Sequence, residues 1–347
     1  MNNPYSSTKV FHHQDRLSLL SRGGHPFPVH VHLVPTNVCN QRCNFCAYRA
    51  EGYSSNESFN CRESIPQEKL LDLVRDFSTV GVRAVEVTGG GEPTCHPSFI
   101  RLCQDTLDRG LDLGVVTNGS LWTPAHVKAT REAKWVRFSI DAGLPETYAS
   151  IRHVAQSIHA SVRNAVTAQA YEKSPDQVVG VAFTVTRDNW TEVIEATKNA
   201  REDGADNIRI SAVFQNDDAH YFDSFVNEAS VLCHHAEELA TDEFRVFNLF
   251  SDRLSDLQQR SPDYQTCHVQ RLCTYIGADQ NVYRCCVLAY NHLGLLGSIR
   301  DKMFSELWQD ARPALDEFDA HRCSRCMFNA KNATIRSALN PAHINFI

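Results

Sequence analysis

Residues 29–46 read VHVHLVPTNVCNQRCNFC and are the segment that says most about the fold. The segment begins with a short run rich in β-branched residues, which predicts a strand at about 29–34. Three cysteines, Cys39, Cys43 and Cys46, follow directly and therefore lie on the loop at the carboxyl end of that strand. In open α/β sheets and barrels, active sites form at this edge.

Strand and helix patterns alternate through the next 170 or so residues, in the order typical of βαβ units. The other predicted strands are 84–87, 113–116, 136–140, 179–185 and 208–213. The predicted helices are 66–78, 97–109, 124–133, 145–154, 161–171 and 190–203. Six units with right-handed crossovers are too few for a complete eight-fold barrel. The sequence therefore predicts an α/β protein with a partial (β/α)6 TIM-like barrel.

The composition excludes several classes of protein. A chain of 347 residues, 42% of them hydrophobic, can bury a core without disulfide bonds. The formal net charge of −7 makes nucleic acid an unexpected partner, because nucleic-acid binders usually carry a basic stripe. Mean hydropathy is −0.35 and no apolar run approaches a membrane span. The amino-terminal residues lack the apolar core of a secretory signal, so we expect a cytoplasmic protein without a membrane partner.

The cysteines are concentrated in two zones, and the first zone predicts an iron–sulfur cluster. In a reducing compartment, clustered cysteines bind metal or do redox chemistry more often than they form disulfides. Three thiolates hold a cubane cluster but leave one iron open, and an open position usually means catalysis. A structural zinc site is the weaker alternative, because it needs a fourth ligand. His30 and His32 are candidates for that ligand, although they lie on the preceding strand.

Two motifs resemble those of the radical S-adenosylmethionine (SAM) enzymes. CNQRCNFC resembles the CxxxCxxC signature of this family, and Phe45 matches the aromatic position that the family places against adenine. After the second predicted strand, VTGGGEPTCHP contains Gly90, Gly91 and Glu92 of a GGEP motif, which in the family holds the methionine amino group of SAM. Glycine there permits close approach of backbone to a ligand. We expect Glu92 to shape this loop rather than to act as a base.

Polar residues at later strand ends extend the resemblance over about residues 29–214. Asn118 follows the third predicted strand, while Ser139 and Asp141 follow the fourth, where the family often contacts the ribose or the methionine carboxylate. Arg152 lies in the next helix, where a cation can pair with a carboxylate. Helix capping and a solvated helix position are the ordinary alternatives for these side chains.

The second cysteine zone resembles the twitch or SPASM-type extension of radical SAM enzymes. It carries a predicted hairpin with strands 275–277 and 282–285, a helix at 305–310 and a C-x-x-C pair. Gln280 stands where the family usually has glycine, and we expect Asn281 to adopt the positive φ instead. The resemblance implies that an auxiliary [4Fe–4S] cluster is ligated by Cys267, Cys285, Cys323 and Cys326.

Three alternatives stay open in this zone. Cys273 competes for a place in the ligand set, because SPASM proteins use a C-x5-C pair. Cys286 could replace Cys285, but alternation along a strand allows only one of the two to face a cluster. A structural zinc ribbon is the third alternative, since it needs two thiolate pairs.

Together the motifs imply a radical SAM enzyme with SAM, a SAM-binding [4Fe–4S] cluster and an auxiliary [4Fe–4S] cluster. The implied organisation is an extension at 1–28, a barrel at 29–215, a bridging segment at 216–263 and a C-terminal β-hairpin/helix iron–sulfur module at 264–347. We expect a flavodoxin- or ferredoxin-type electron donor.

The substrate is expected to be a small polar molecule such as a sugar, aminocyclitol or nucleoside. Peptide-modifying relatives usually carry a recognition domain ahead of the barrel, and 28 residues are too few for one. A peptide-modifying enzyme working with a separate recognition protein is the alternative. Outside this class, the chain could be a non-enzymatic iron–sulfur carrier or zinc scaffold.

Overall fold

One mixed sheet forms the centre of the molecule, whose computed structural model describes residues 4–49, 57–214 and 220–340. The strands are β1 His30–Leu33, β2 Ala84–Val87, β3 Asp112–Thr117, β4 Trp135–Ser139, β5 Val178–Val185, β6 Asn207–Ala212, β7 Arg245–Asn248, β8 Cys273–Ile276, β9 Asn281–Tyr283 and β10 Leu295–Ser298. Their order across the sheet is β10-β9-β8-β1-β2-β3-β4-β5-β6-β7. Because β10 and β7 are the two ends of that order, the sheet is open and the predicted partial barrel is confirmed.

Helices surround the sheet, and most of them cover the outer face of its parallel strands. They are α1 Gln14–Ser21, α2 Gln67–Val80, α3 Phe99–Asp108, α4 Pro124–Thr130, α5 Pro145–Arg152, α6 Ser157–Glu172, α7 Val193–Glu202, α8 Val226–Glu237, α9 Phe250–Gln259, α10 Phe304–Asp310, α11 Arg312–Asp316 and α12 Asn329–Leu339. Val31, Leu33, Val85 and Val87 are fully buried in one core with apolar residues of these helices. Because side chains alternate along a strand, the residues between them face the barrel interior. In the described residues, no helix has the length and apolarity needed to cross a membrane.

The sheet has more parallel strands than the sequence indicated. Within the segment interpreted as a bridge, α8 leads into β7, which pairs in parallel with β6. The residues of β7 are only partly buried or exposed, so its short run lacks the pattern of a buried strand. At the other side, β8 of the predicted hairpin pairs in parallel with β1. The auxiliary hairpin is therefore continuous with the barrel sheet.

The turn of the β8–β9 hairpin differs from the expectation. Gln280 itself has φ of +63°, and it, rather than Asn281, occupies the left-handed region. Its backbone N–H donates to the Gly277 carbonyl and its carbonyl accepts from the Ile299 N–H, both at 2.9 Å. The prediction for Asn281 was wrong because these two hydrogen bonds fix the turn at Gln280.

Gln280→Gly is expected to stabilise the protein by up to about 1 kcal/mol. A left-handed conformation costs a residue with a Cβ atom about 1–2 kcal/mol, and glycine's greater freedom in the unfolded chain offsets part of the gain. The free energy of unfolding in urea measures it. Gln309→Gly, on the exposed side of α10, is the control and should destabilise by about 1 kcal/mol. Equal losses in both variants would contradict the prediction.

Candidate active site and auxiliary metal centre

The loop after β1 carries three half-buried thiols. Burial raises the pKa of Cys39 to about 12, and burial also raises the pKa values of Cys43 and Cys46. The thiols are therefore poor thiolates unless a cation is bound, whereas a coordinating thiol is deprotonated outright. All three are free cysteines, and this donor set fits the three-thiolate face of a cubane cluster.

The glycine-rich loop after β2 packs directly against the cysteine loop. The N–H of Gly91 donates to the Thr36 carbonyl at 3.1 Å, and the N–H of Glu92 donates to the Val38 carbonyl at 2.9 Å. A Cβ atom added at Gly91 would lie 2.2 Å from the Val38 carbonyl oxygen. At Gly90 it would lie 2.4 Å from Oδ1 of Asn37. Glycine is therefore needed here for the approach of two backbones.

Gly91→Ala is expected to lower the free energy of unfolding by about 2–3 kcal/mol and to weaken SAM binding at least tenfold. The added methyl group must push the two loops apart, because the atoms that it meets are backbone. Urea unfolding and titration calorimetry of the reconstituted protein measure the two effects. Gly110→Ala is the control, since that position has φ of +72° but open space around it. Undiminished SAM affinity in Gly91→Ala would contradict the prediction.

Glu92 ties the glycine-rich loop to the end of β3. Its Oε1 accepts from the hydroxyl groups of Thr94 and Thr117 at 2.7 and 2.6 Å, and its Oε2 accepts from the Asn118 N–H at 2.6 Å. The residue is 2% exposed, and burial raises the pKa of its carboxyl group. Both oxygens of Glu92 therefore have partners inside the protein. Asn118 in turn donates from Nδ2 to Oδ1 of Asn40 on the cysteine loop at 2.9 Å.

A buried ion pair joins the end of β4 to the cysteine loop. Arg152 donates to a carboxylate oxygen of Asp141, and both side chains are 3% exposed. The other oxygen of Asp141 accepts from the Thr184 N–H at 2.6 Å. Arg152 also donates to the Ser139 carbonyl at 2.8 Å and lies 3.7 Å from Sγ of Cys43. Asp141, Ser139 and Arg152 are thus brought together beside the first cysteine zone.

Gln41 is a member of this network that sequence reasoning missed. It is 3% exposed, its Oε1 accepts from Nη1 of Arg152 at 2.7 Å, and its Nε2 donates to the Tyr148 hydroxyl at 3.2 Å. A glutamine between two cysteines carries no sequence signal for this role. Phe45, by contrast, is partly buried and packs against the main core.

The second cysteine zone closes around one cavity. The cavity is lined by Cys267, Cys285, Cys323 and Cys326, together with apolar side chains such as Phe318. Burial raises the pKa of Cys267 to about 11 and that of Cys323 to about 12. The N–H of Phe328 donates to Sγ of Cys326 at 3.2 Å. Four thiols around a shared cavity fit the ligand set that a closed cubane needs.

The two competing cysteines do not line this cavity. Cys286 lies 3.9 Å from the Met327 sulfur. Cys273 lies on β8 beside His30 and His32 of β1. Burial alone would raise the pKa of Cys273, but the two imidazoles lower it to about 5. His30 and His32 are therefore grouped with Cys273 and not with Cys39.

The chain is similar to a curated protein over most of its length. This relative is the tungsten-containing aldehyde ferredoxin oxidoreductase cofactor-modifying protein of Pyrococcus furiosus. The two are 24% identical, and the match covers 82% of this chain and 81% of the relative.

Two solved structures share the fold. SuiB of Streptococcus suis bound to the precursor peptide SuiA superposes with a TM-score of 0.63 at 14% identity, covering 89% of this chain and 70% of SuiB. Native anSMEcpe with bound AdoMet superposes with a TM-score of 0.60 at 17% identity, and the match covers 87% of this chain and 88% of anSMEcpe. At these identities the likeness is one of fold.

The family model of the radical SAM superfamily matches residues 33–227. That range holds the three-cysteine loop, the glycine-rich loop and the buried Asp141–Arg152 pair, and it covers more than half of the chain. The chain belongs to the radical SAM superfamily, whose members use a [4Fe–4S] cluster and S-adenosylmethionine.

Proposed function

We propose that this protein is an enzyme that reductively cleaves SAM to methionine and a 5′-deoxyadenosyl radical, which then abstracts hydrogen from a substrate. The main support for this proposal is the contact between the cysteine loop and the glycine-rich loop, which the hydrogen bonds from the N–H groups of Gly91 and Glu92 fix. A [4Fe–4S] cluster held by Cys39, Cys43 and Cys46 would supply the electron and an open iron for SAM. A carrier or zinc scaffold has no use for the second loop.

The residues proposed for the SAM site have two different roles, direct contact with SAM and positioning of the loops around it. Phe45 and the backbone of Gly90 and Gly91 are proposed to contact SAM directly, the first at adenine and the others at the amino group. Glu92 and Asp141 have both carboxylate oxygens engaged within the protein, so we assign them to positioning.

The other three proposed residues are Asn118, Ser139 and Arg152. Asn118 and Ser139 stand at the ends of β3 and β4, where the ribose or the methionine carboxylate is expected. Arg152 places a fixed positive charge beside Cys43. It is proposed to orient the cysteine loop and the SAM carboxylate.

We propose an auxiliary [4Fe–4S] cluster at Cys267, Cys285, Cys323 and Cys326, within a module spanning 264–347. The common cavity of these four thiols supports it. The module is joined to the barrel by β8, next to β1, which precedes the first cysteine loop. An auxiliary cluster there would accept an electron from a substrate radical, giving a net oxidation. Epimerisation or rearrangement would need no net acceptor.

The proposed substrate is a small polar molecule with an anionic group, of the sugar, aminocyclitol or nucleoside class. Arg137 on β4 and Arg209 on β6 face the barrel interior. Burial and the charge of Arg137 lower the pKa of Arg209 to about 10, and its Nε is buried without a hydrogen-bond partner among the described residues. An anionic group on the substrate would offset the repulsion between the two arginines and would accept a hydrogen bond from Nε of Arg209. The Pyrococcus relative's name, a cofactor-modifying protein, also favours a small molecule.

The test is anaerobic incubation of the reconstituted protein with SAM and a reductant, followed by quantification of 5′-deoxyadenosine. Formation of 5′-deoxyadenosine is expected, with a flavodoxin- or ferredoxin-type donor replacing the chemical reductant in the cytoplasm. No product from protein with an intact cluster would overturn the proposal. Deuterated candidates then separate the substrate classes. Deuterium transfer into 5′-deoxyadenosine from an anionic small molecule is expected, and transfer only from a peptide would favour the peptide-modifying alternative.

A further inference from the structure

Three neighbouring strands bring four donor side chains to one place inside the barrel. His30 and His32 are two residues apart on β1 and therefore point to the same side of the sheet. In register, Cys273 of β8 is opposite His30, and Glu86 of β2 is opposite His32. Val31 and Leu33, which alternate with the histidines, are buried against the helices. The four polar side chains thus share the interior face.

The spacing of three of these side chains fits a bound cation. One ligand atom from each of His30, His32 and Cys273 lies within 4.8 Å of the other two. Nδ1 of His30 is 3.7 Å from Sγ of Cys273. In a tetrahedral zinc site, bonds of about 2.0–2.3 Å separate neighbouring ligand atoms by about 3.3–3.8 Å. Only a small contraction of the group would therefore be needed to close around the ion.

Glu86 occupies the position of a supporting carboxylate behind both imidazoles. Its Oε2 lies 3.7 Å from Nε2 of His30, and its Oε1 lies 3.4 Å from Nδ1 of His32. With those two nitrogens turned to Glu86, Nδ1 of His30 and Nε2 of His32 would be the ligand atoms, and Nδ1 of His30 is the nitrogen that lies near Sγ of Cys273. Metal-binding histidines commonly turn their second nitrogen to a carboxylate, which fixes the tautomer and the ring orientation.

We propose that His30, His32 and Cys273 bind one zinc(II) ion inside the barrel, supported by Glu86. The site is separate from both proposed iron–sulfur clusters, because Cys273 does not line the auxiliary cavity and the histidines lie on β1 before the cysteine loop. Two imidazoles and one thiolate suit zinc among the divalent ions. Three protein ligands leave a fourth position for water or a substrate atom.

The experiment measures zinc and iron per chain in the full-length protein, reconstituted anaerobically with iron and sulfide, then given one equivalent of zinc and desalted. About one retained zinc is expected, beside an iron content that Cys273→Ser leaves unchanged. Absorption at the zinc K-edge, which iron does not obscure, should show one sulfur and two or three nitrogen or oxygen neighbours. Cys273→Ser should lose the zinc, whereas Cys61→Ser, at an exposed cysteine, should retain it.

Three results with zinc-loaded protein would overturn the zinc site. These are zinc retained equally by wild type and Cys273→Ser, zinc surrounded by four sulfurs, or iron lost from Cys273→Ser, which would make Cys273 a cluster ligand. Absence of bound zinc in the wild type would leave the four side chains as a hydrogen-bonded ion-pair group and would equally refute the proposal. His32→Gln removes a ligand without touching a cysteine, so it decides the question if Cys273→Ser fails to fold.

Discussion

Replacing Cys39, Cys43 and Cys46 together by alanine is expected to halve the iron content and to abolish 5′-deoxyadenosine formation. If the three cysteines of this loop and the four around the C-terminal cavity each hold the proposed cubane, the two cubanes would contain about eight iron atoms. The variant loses every ligand of the first cubane and none of the second, so about four iron atoms should remain. Iron and sulfide analysis and a SAM cleavage assay measure both effects.

The cysteine at position 61 provides the matched control for this variant. Cys61 is exposed and lies outside both groups of thiols, so Cys61→Ala should keep about eight iron atoms and full SAM cleavage. If the wild type holds about four iron atoms and the triple variant holds none, the C-terminal cysteines hold no iron. Iron unchanged from wild type in the triple variant would refute the assignment of the first cluster.

Asp141→Asn is expected to lower the free energy of unfolding by about 3 kcal/mol. The substitution keeps the shape of the side chain, and asparagine tolerates the φ of +59° at this position. It removes the negative charge that pairs with Arg152, and that guanidinium is 3% exposed. A buried charge left without its partner costs about 3–5 kcal/mol, and the carbonyls of Ser139 and Ile140 offset only part of this.

Urea unfolding measures the change, with Asp72→Asn as the control. Asp72 pairs with Arg75 on the surface of α2, where both side chains are about half exposed, so its loss should cost at most about 0.5 kcal/mol. Because Arg152 also contacts Gln41 and Cys43, Asp141→Asn should in addition loosen the cysteine loop and slow SAM cleavage. Equal stability losses in the two variants would contradict a buried role for Asp141.

The alternating strands and helices of the barrel can be predicted from the residue pattern alone. Predicted strands at 84–87 and 179–185 agree with β2 and β5 to within a residue, because buried parallel strands are short segments rich in apolar and β-branched residues. The cysteine loop and the glycine-rich loop were equally visible, since their residue types have few substitutes in a three-thiolate site and in a close backbone contact. Each of these loops is formed by residues that follow one another in the chain, so its residue types can be recognised directly in the sequence.

Contacts between side chains far apart in the chain could not be predicted from the residue pattern. The sequence favours Cys267 as a ligand and leaves Cys273 as its competitor. Pairing of β8 with β1 brings Cys273 to His30, whereas Cys267 lines the cavity that it shares with three other cysteines. The partners of Glu92 and Asp141 were equally hidden, because their hydrogen bonds cross between strand ends far apart in the chain. Strand register and sheet order fix these contacts, and both depend on how the whole core packs rather than on any local pattern.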